Sequence, residues 1–66
     1  MEIVLNGEKH QAPQGCTVLQ LLESLGIDPA RVAVELDGAI ARRTAWADTR
    51  LAAGARVEVV HFVGGG

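Results

Sequence analysis

Residues 16–29, "CTVLQLLESLGIDP", constrain the fold more than any other part of the chain, because they read as a helix marked at both ends. Thr17 followed three residues later by Gln20 fits a capping box, where each side chain answers a backbone N–H left free at the helix start. Val18, Leu21, Leu22 and Leu25 fall at i, i+3, i+4 and i+7, one apolar stripe. Gly26 suits the left-handed position just past the helix, Ile27 can pack back on Leu22, and Pro29 prevents continuation. Such a stripe needs a surface to lie on, and the flanking sequence must supply it.

The flanks read as strands. "EIVLNGEKHQAP" holds two extended runs around Asn6-Gly7, the strongest short-range hairpin signal, since both central residues of a type I′ turn need positive φ. This predicts strands over residues 2–5, with Ile3 and Leu5 on one face, and over residues 8–12. Beyond the helix, Val32, Val34 and Leu36 alternate with Ala33, Glu35 and Asp37. Asp37-Gly38 then signals a second hairpin, leading to a short segment around Ile40. "TAWADTRLAAG" predicts one or two helical turns, with Trp46 and Leu51 as its core contacts. A last strand covers residues 56–63. The expected class is α+β: a small mixed sheet with the one main helix packed on one face.

Size and charge exclude several functions. A chain of 66 residues is one domain, and at that length about 60% of the unfolded chain's surface is buried. Few elements are then free to converge on a water-excluding pocket, which disfavours an enzyme. The net charge of −2, with Trp46 and Phe62 as the only aromatics, offers neither the basic footprint nor the stacking surface of a nucleic-acid binder. Cys16, a single cysteine, cannot form an internal disulfide. No signal peptide or membrane-length apolar run is visible, so the expected location is cytoplasmic, without membrane contact.

The ending "VEVVHFVGGG" carries the residues with a chemical role to offer. Strand alternation puts Val57 and Val59 toward the core, with His61 and Val63 continuing on that side. Glu58, Val60 and Phe62 then share the outward face, an apolar patch suited to a partner. Residues 1–63 thus form the folded domain and residues 64–66 a flexible tail. Three glycines reach at most about 10 Å. Without Cβ atoms they can thread a slot too narrow for other residues and present a bare α-carboxylate. That group resists nucleophiles until it is activated, typically as an acyl-adenylate made with ATP.

"MEIVLNGEKH", "TVLQLLESLGI", "VAVELDG", "ARRTAW" and "VEVVHFVGGG" together resemble the ThiS family of sulfur carriers in thiamin biosynthesis, over essentially the whole chain. The most specific parts are "FVGGG" and the R-x-x-W spacing of Arg43 and Trp46. Arg42 departs from the proline that family members often carry, and Gly54-Ala55 from a Gly-Asp turn. The resemblance implies the β-grasp (ubiquitin-like) fold. It implies that an E1-like enzyme, ThiF, adenylates Gly66 with ATP and magnesium, and that a persulfide from a cysteine desulfurase or another source supplies sulfur. Gly66 then becomes a thiocarboxylate that serves thiazole synthase, ThiG, while Gly64 and Gly65 thread into the partner site. The chain itself would be a carrier, with no catalytic residue, bound cofactor or metal of its own. Val60, Phe62, Val63 and Arg43 are the expected docking residues. Carriers for molybdopterin or tRNA thiolation, a ubiquitin-like tag and a pure interaction domain remain open alternatives.

The other chemically notable residues have plainer explanations. Cys16 stands just before the helix cap without a pairing group, which suits a small semi-buried residue. His10 and His61 lack neighbours at metal-ligand spacing. Arg42, Arg43, Arg50 and Arg56 make the second half locally basic, as solvated side chains commonly do.

Overall fold

Both X-Gly pairs form the turns their residues demand. Asn6 and Asp37 take φ of 49° and 51°, followed by Gly7 at 81° and Gly38 at 86°, the positive-φ succession of a type I′ hairpin. The first turn joins β1 (Glu2–Leu5) to β2 (Glu8–Gln11), the second β3 (Val32–Leu36) to β4 (Ala39–Ala41). These come from a computed structural model that describes residues 1–63; the expected tail at residues 64–66 lies outside the described residues.

The last strand, β5 (Arg56–His61), enters between the two hairpins and completes a five-stranded sheet in the order β2-β1-β5-β3-β4. It runs parallel to β1 and antiparallel to β3. The sheet is therefore mixed, and its final strand is its middle strand. Helix α1 (Val18–Ser24) packs on one face, where Val18, Leu21 and Leu22 join Ile3, Val32, Val34, Val57 and Val59 in the core. This is the α+β β-grasp fold that the resemblance implies.

Both ends of α1 are closed as expected. Thr17 Oγ1 accepts from the Gln20 N–H at 3.1 Å while Gln20 Oε1 accepts from the Thr17 N–H at 2.9 Å. At the other end Gly26 has φ of 70°, and the Ile27 and Gly26 N–H groups donate to the Leu22 and Glu23 carbonyls, which is a Schellman ending. The two remaining first-turn donors are satisfied from far along the chain. The Val18 N–H donates to the Thr49 carbonyl and the Leu19 N–H to that of Trp46. The segment expected to hold one or two helical turns contains a single 3-10 turn, Arg43–Ala45. Its remaining backbone serves as a cap for α1, and it delivers Trp46 and Leu51 to the core.

Two strand ends differ from expectation. β2 stops at Gln11, although Ala12 stays buried and its N–H donates to the Met1 carbonyl. β5 stops at His61, and both His61 and Val63 are exposed rather than turned to the core. The cause is the end of the strand's support: β1 pairs with β5 only at Arg56 and Val57, and β5 itself ends at His61, before Val63. Among the described residues no helix is long and apolar enough to cross a membrane.

Candidate functional site

Alternation along β5 sorts its residues cleanly as far as Val59. Val57 and Val59 are buried against the helix layer, while Glu58 and Val60 stand on the open face of the sheet. Exposure then rises toward the tail: Val60 is 54%, Phe62 59% and Val63 95% exposed. The docking candidates Val60, Phe62 and Val63 are thus brought together at the end of the central strand. Ile40 joins them as a large apolar side chain left in water, 80% exposed on β4 opposite Glu35. Its three-residue strand is too short for alternation to reveal its face.

The strand carrying this patch is held by both hairpin turns. The Val59 N–H donates to Asn6 Oδ1 at 2.8 Å, and the Arg56 N–H donates to Asp37 Oδ1 at 2.9 Å. Each turn residue does two things: it accepts the positive φ of its turn, and its short side chain reaches the backbone of β5. The turn chemistry is legible in sequence, but the bonds to β5 are not, because Asn6 and Val59 are 53 positions apart. Past the end of β5, the Phe62 N–H donates to the Arg31 carbonyl at 2.9 Å. The patch is therefore anchored up to its aromatic residue.

Arg43 is placed by the same corner. Its guanidinium donates to the Pro29 carbonyl and, at 2.9 Å, to that of Val32, and it lies 4.7 Å above the Trp46 ring. Trp46 is fixed in turn by its indole N–H on the Ala41 carbonyl at 2.8 Å. The 3-10 turn Pro29–Arg31 thus receives Arg43 on one residue and Phe62 on another. The R-x-x-W spacing has a physical basis: it stacks a cation on a buried ring and ties three loops together. Cys16 is buried in the core cluster. Gly64, Gly65 and Gly66, which the resemblance makes the reactive end, lie outside the described residues.

The arrangement combines a five-stranded sheet with an exposed apolar patch at the end of its central strand, and in the sequence three glycines follow that patch. The solved structures most like it include the crystal structure of the thiamine biosynthesis protein ThiS from Geobacter metallireducens. It superposes with a TM-score of 0.87 at 32% identity and covers 100% of both chains. A solution structure of a thiamine biosynthesis protein from the same organism gives 0.80 at 33% identity, covering 100% of this chain and 88% of that one. Among curated proteins, the chain is 46% identical over 66 residues to a thiazole synthase of Magnetococcus marinus. It is 38% identical over the same length to a thiazole synthase of Paramagnetospirillum magneticum. The chain spans about a fifth of the length of these curated relatives, 20% of each. The ThiS family model matches residues 1–66, and with that match from the first strand through the glycines, this chain belongs to the ThiS family.

Proposed function

We propose that this chain is the sulfur carrier of thiazole formation, a protein substrate and not itself an enzyme. The α-carboxylate of Gly66 is activated by an E1-like ThiF enzyme, which uses ATP and magnesium to form the acyl-adenylate and release pyrophosphate. A persulfide sulfur then attacks the acyl carbon and expels AMP. Cleavage of the sulfur–sulfur bond by a thiol leaves the thiocarboxylate. Thiazole synthase accepts that sulfur, and Gly66 returns to a carboxylate. Gly64 and Gly65 thread the partner's slot, while Val60, Phe62, Val63 and Arg43 dock the folded body. Sulfur held in this way is never released as free sulfide, and the work is cytoplasmic.

One observation carries the proposal. In a ThiS family chain, Val60 near the end of the strand before the glycines, and Phe62 and Val63 just past that strand, stand exposed to water at the point where a partner would receive the tail. The occurrence of a similar segment within proteins named thiazole synthase supports the choice of pathway. The test is a mass spectrum of the chain after incubation with ThiF, ATP, magnesium and a persulfide donor. The expected result is replacement of one oxygen by sulfur at Gly66, dependent on ATP. An unchanged mass under conditions where a known carrier is converted would overturn it.

A further inference from the structure

The middle strand of the sheet is paired on one side only along its second half. Opposite β3, the pairing runs from Leu36↔Val57 to Val32↔His61, and Phe62 adds its bond to Arg31. Opposite β1, it covers Arg56 and Val57 and then stops, because β1 turns away at Asn6. In an antiparallel ladder successive residues direct their N–H and C=O groups to opposite sides. The Arg56 and Phe62 bonds place the even-numbered residues toward β3, so Val57, Val59 and His61 address the β1 side. The Val57 carbonyl accepts from the Asn6 N–H and the Val59 N–H donates to Asn6 Oδ1. Among the described residues nothing pairs with the three groups that follow: the Val59 carbonyl, the His61 N–H and the His61 carbonyl.

We propose that this half-edge of β5 receives an extended segment of thiazole synthase as a sixth strand, with apolar side chains alongside Val60 and Phe62. The proposal rests on the docking role given above to this end of the molecule. The chemistry of the occupant follows from the groups left open. A donor and an acceptor on one residue, with a further acceptor two positions earlier, match the backbone of a strand running in either direction. The sheet's other edges are guarded. The outer strand β2 reads Glu8-Lys9-His10-Gln11, and β4 is three residues long and runs into Arg42 and Arg43. Charged and short edges discourage pairing. The half-edge of β5 instead sits among Val59, Val60, Phe62 and Val63, with His61 the only ionisable residue, and the last three of these apolar residues are exposed. Asn6 ends the internal pairing with its side chain, which leaves the backbone beyond it free for a partner.

The experiment follows single amides of the isotopically labelled 66-residue chain by hydrogen exchange, alone and with saturating thiazole synthase. Alone, the His61 amide exchanges fast while that of Phe62, bonded to Arg31, is slow. In the complex, His61 exchange slows tenfold or more, on the order expected for a newly hydrogen-bonded amide. His61→Pro removes that N–H without touching the β3 ladder and should raise the Kd by about tenfold, whereas His61→Ala, which keeps it, stays within about twofold. A complex that forms while His61 exchange and the His61→Pro affinity stay unchanged overturns the added strand and leaves docking intact. Failure of any complex to form removes the docking role, and this inference with it. A His61 amide already slow in the dilute free protein shows the edge to be covered by the chain itself, and overturns the proposal too.

Discussion

The two faces of the sheet are built to opposite rules. On the covered face, Ile3, Val32, Val34, Val57 and Val59 are buried beneath α1 and each contributes apolar surface removed from water, about 25 cal/mol per Å². On the open face, Ile40, Val60 and Phe62 keep most of their surface in water, and Glu35 stands directly across from Glu58. Among the described residues the ion pair present is Arg31 with Asp28 at 3.4 Å, so neither glutamate is neutralised. The first face stabilises the molecule by burial; the second leaves large apolar side chains in water and sets two glutamates opposite each other. The side chains left in water on the open face, Val60 and Phe62, are those the docking proposal uses.

The sharpest way to break this contrast is to remove a side chain from each face. Leu21 is fully buried, and Leu21→Ala should cost about 2–5 kcal/mol through lost transfer energy and the cavity left behind. For so short a chain that is a large part of the total stability, about 5 kcal/mol at the low end, so urea unfolding should begin with little or no denaturant. If Leu21→Ala lost less than about 1 kcal/mol, burial beneath α1 would not be what holds the sheet.

A middle-sized effect is expected where the two faces share a strand. Asn6→Gly keeps the positive-φ turn and removes only the acceptor for the Val59 N–H. It should cost about 1 kcal/mol, read as a lower urea midpoint at unchanged slope. Phe62→Ala should change stability by less than about 0.5 kcal/mol, as for an ordinary surface site. Its binding to thiazole synthase should nevertheless weaken by about tenfold, because exposed aromatics are the usual anchors of an interface. The opposite outcome, a low melting temperature with normal binding, would make Phe62 a core residue and erase the difference between the faces.

How far the sequence carries depends on the distance between cause and effect. The capping box at Thr17 and Gln20, the Gly26 ending and both hairpin turns depend on neighbours within a few positions, and all are legible. So is the outward placement of Val60 and Phe62, which needs only alternation from a well-buried start at Val57. The insertion of β5 between two hairpins has no local signature, since β1 and β5 stand at opposite ends of the chain. The same holds for Thr49 and Trp46 acting as caps for α1. Alternation places His61 and Val63 on the core side because it does not record where the neighbouring strand β1 and β5 itself end. At the site itself, the apolar run is visible in sequence, but the free backbone edge beside it needs the sheet.

The smallest effect discriminates most finely, because it asks whether the open face carries an energetic penalty at all. Glu35 and Glu58 are a directly opposed pair on an antiparallel ladder, close enough for like charges to repel. Glu58→Gln should therefore stabilise the protein by about 0.3 kcal/mol at low salt. In 1 M salt, where the screening length falls to about 3 Å, the gain should vanish. Glu35→Gln should give a similar gain, and the double variant should gain less than the sum, since either change alone removes the repulsion. Fully additive gains would mean that the two carboxylates act separately, each on the net charge of −2, and not on one another. Non-additive gains that disappear with salt would locate the cost in this one cross-strand pair, on the face that docking would cover.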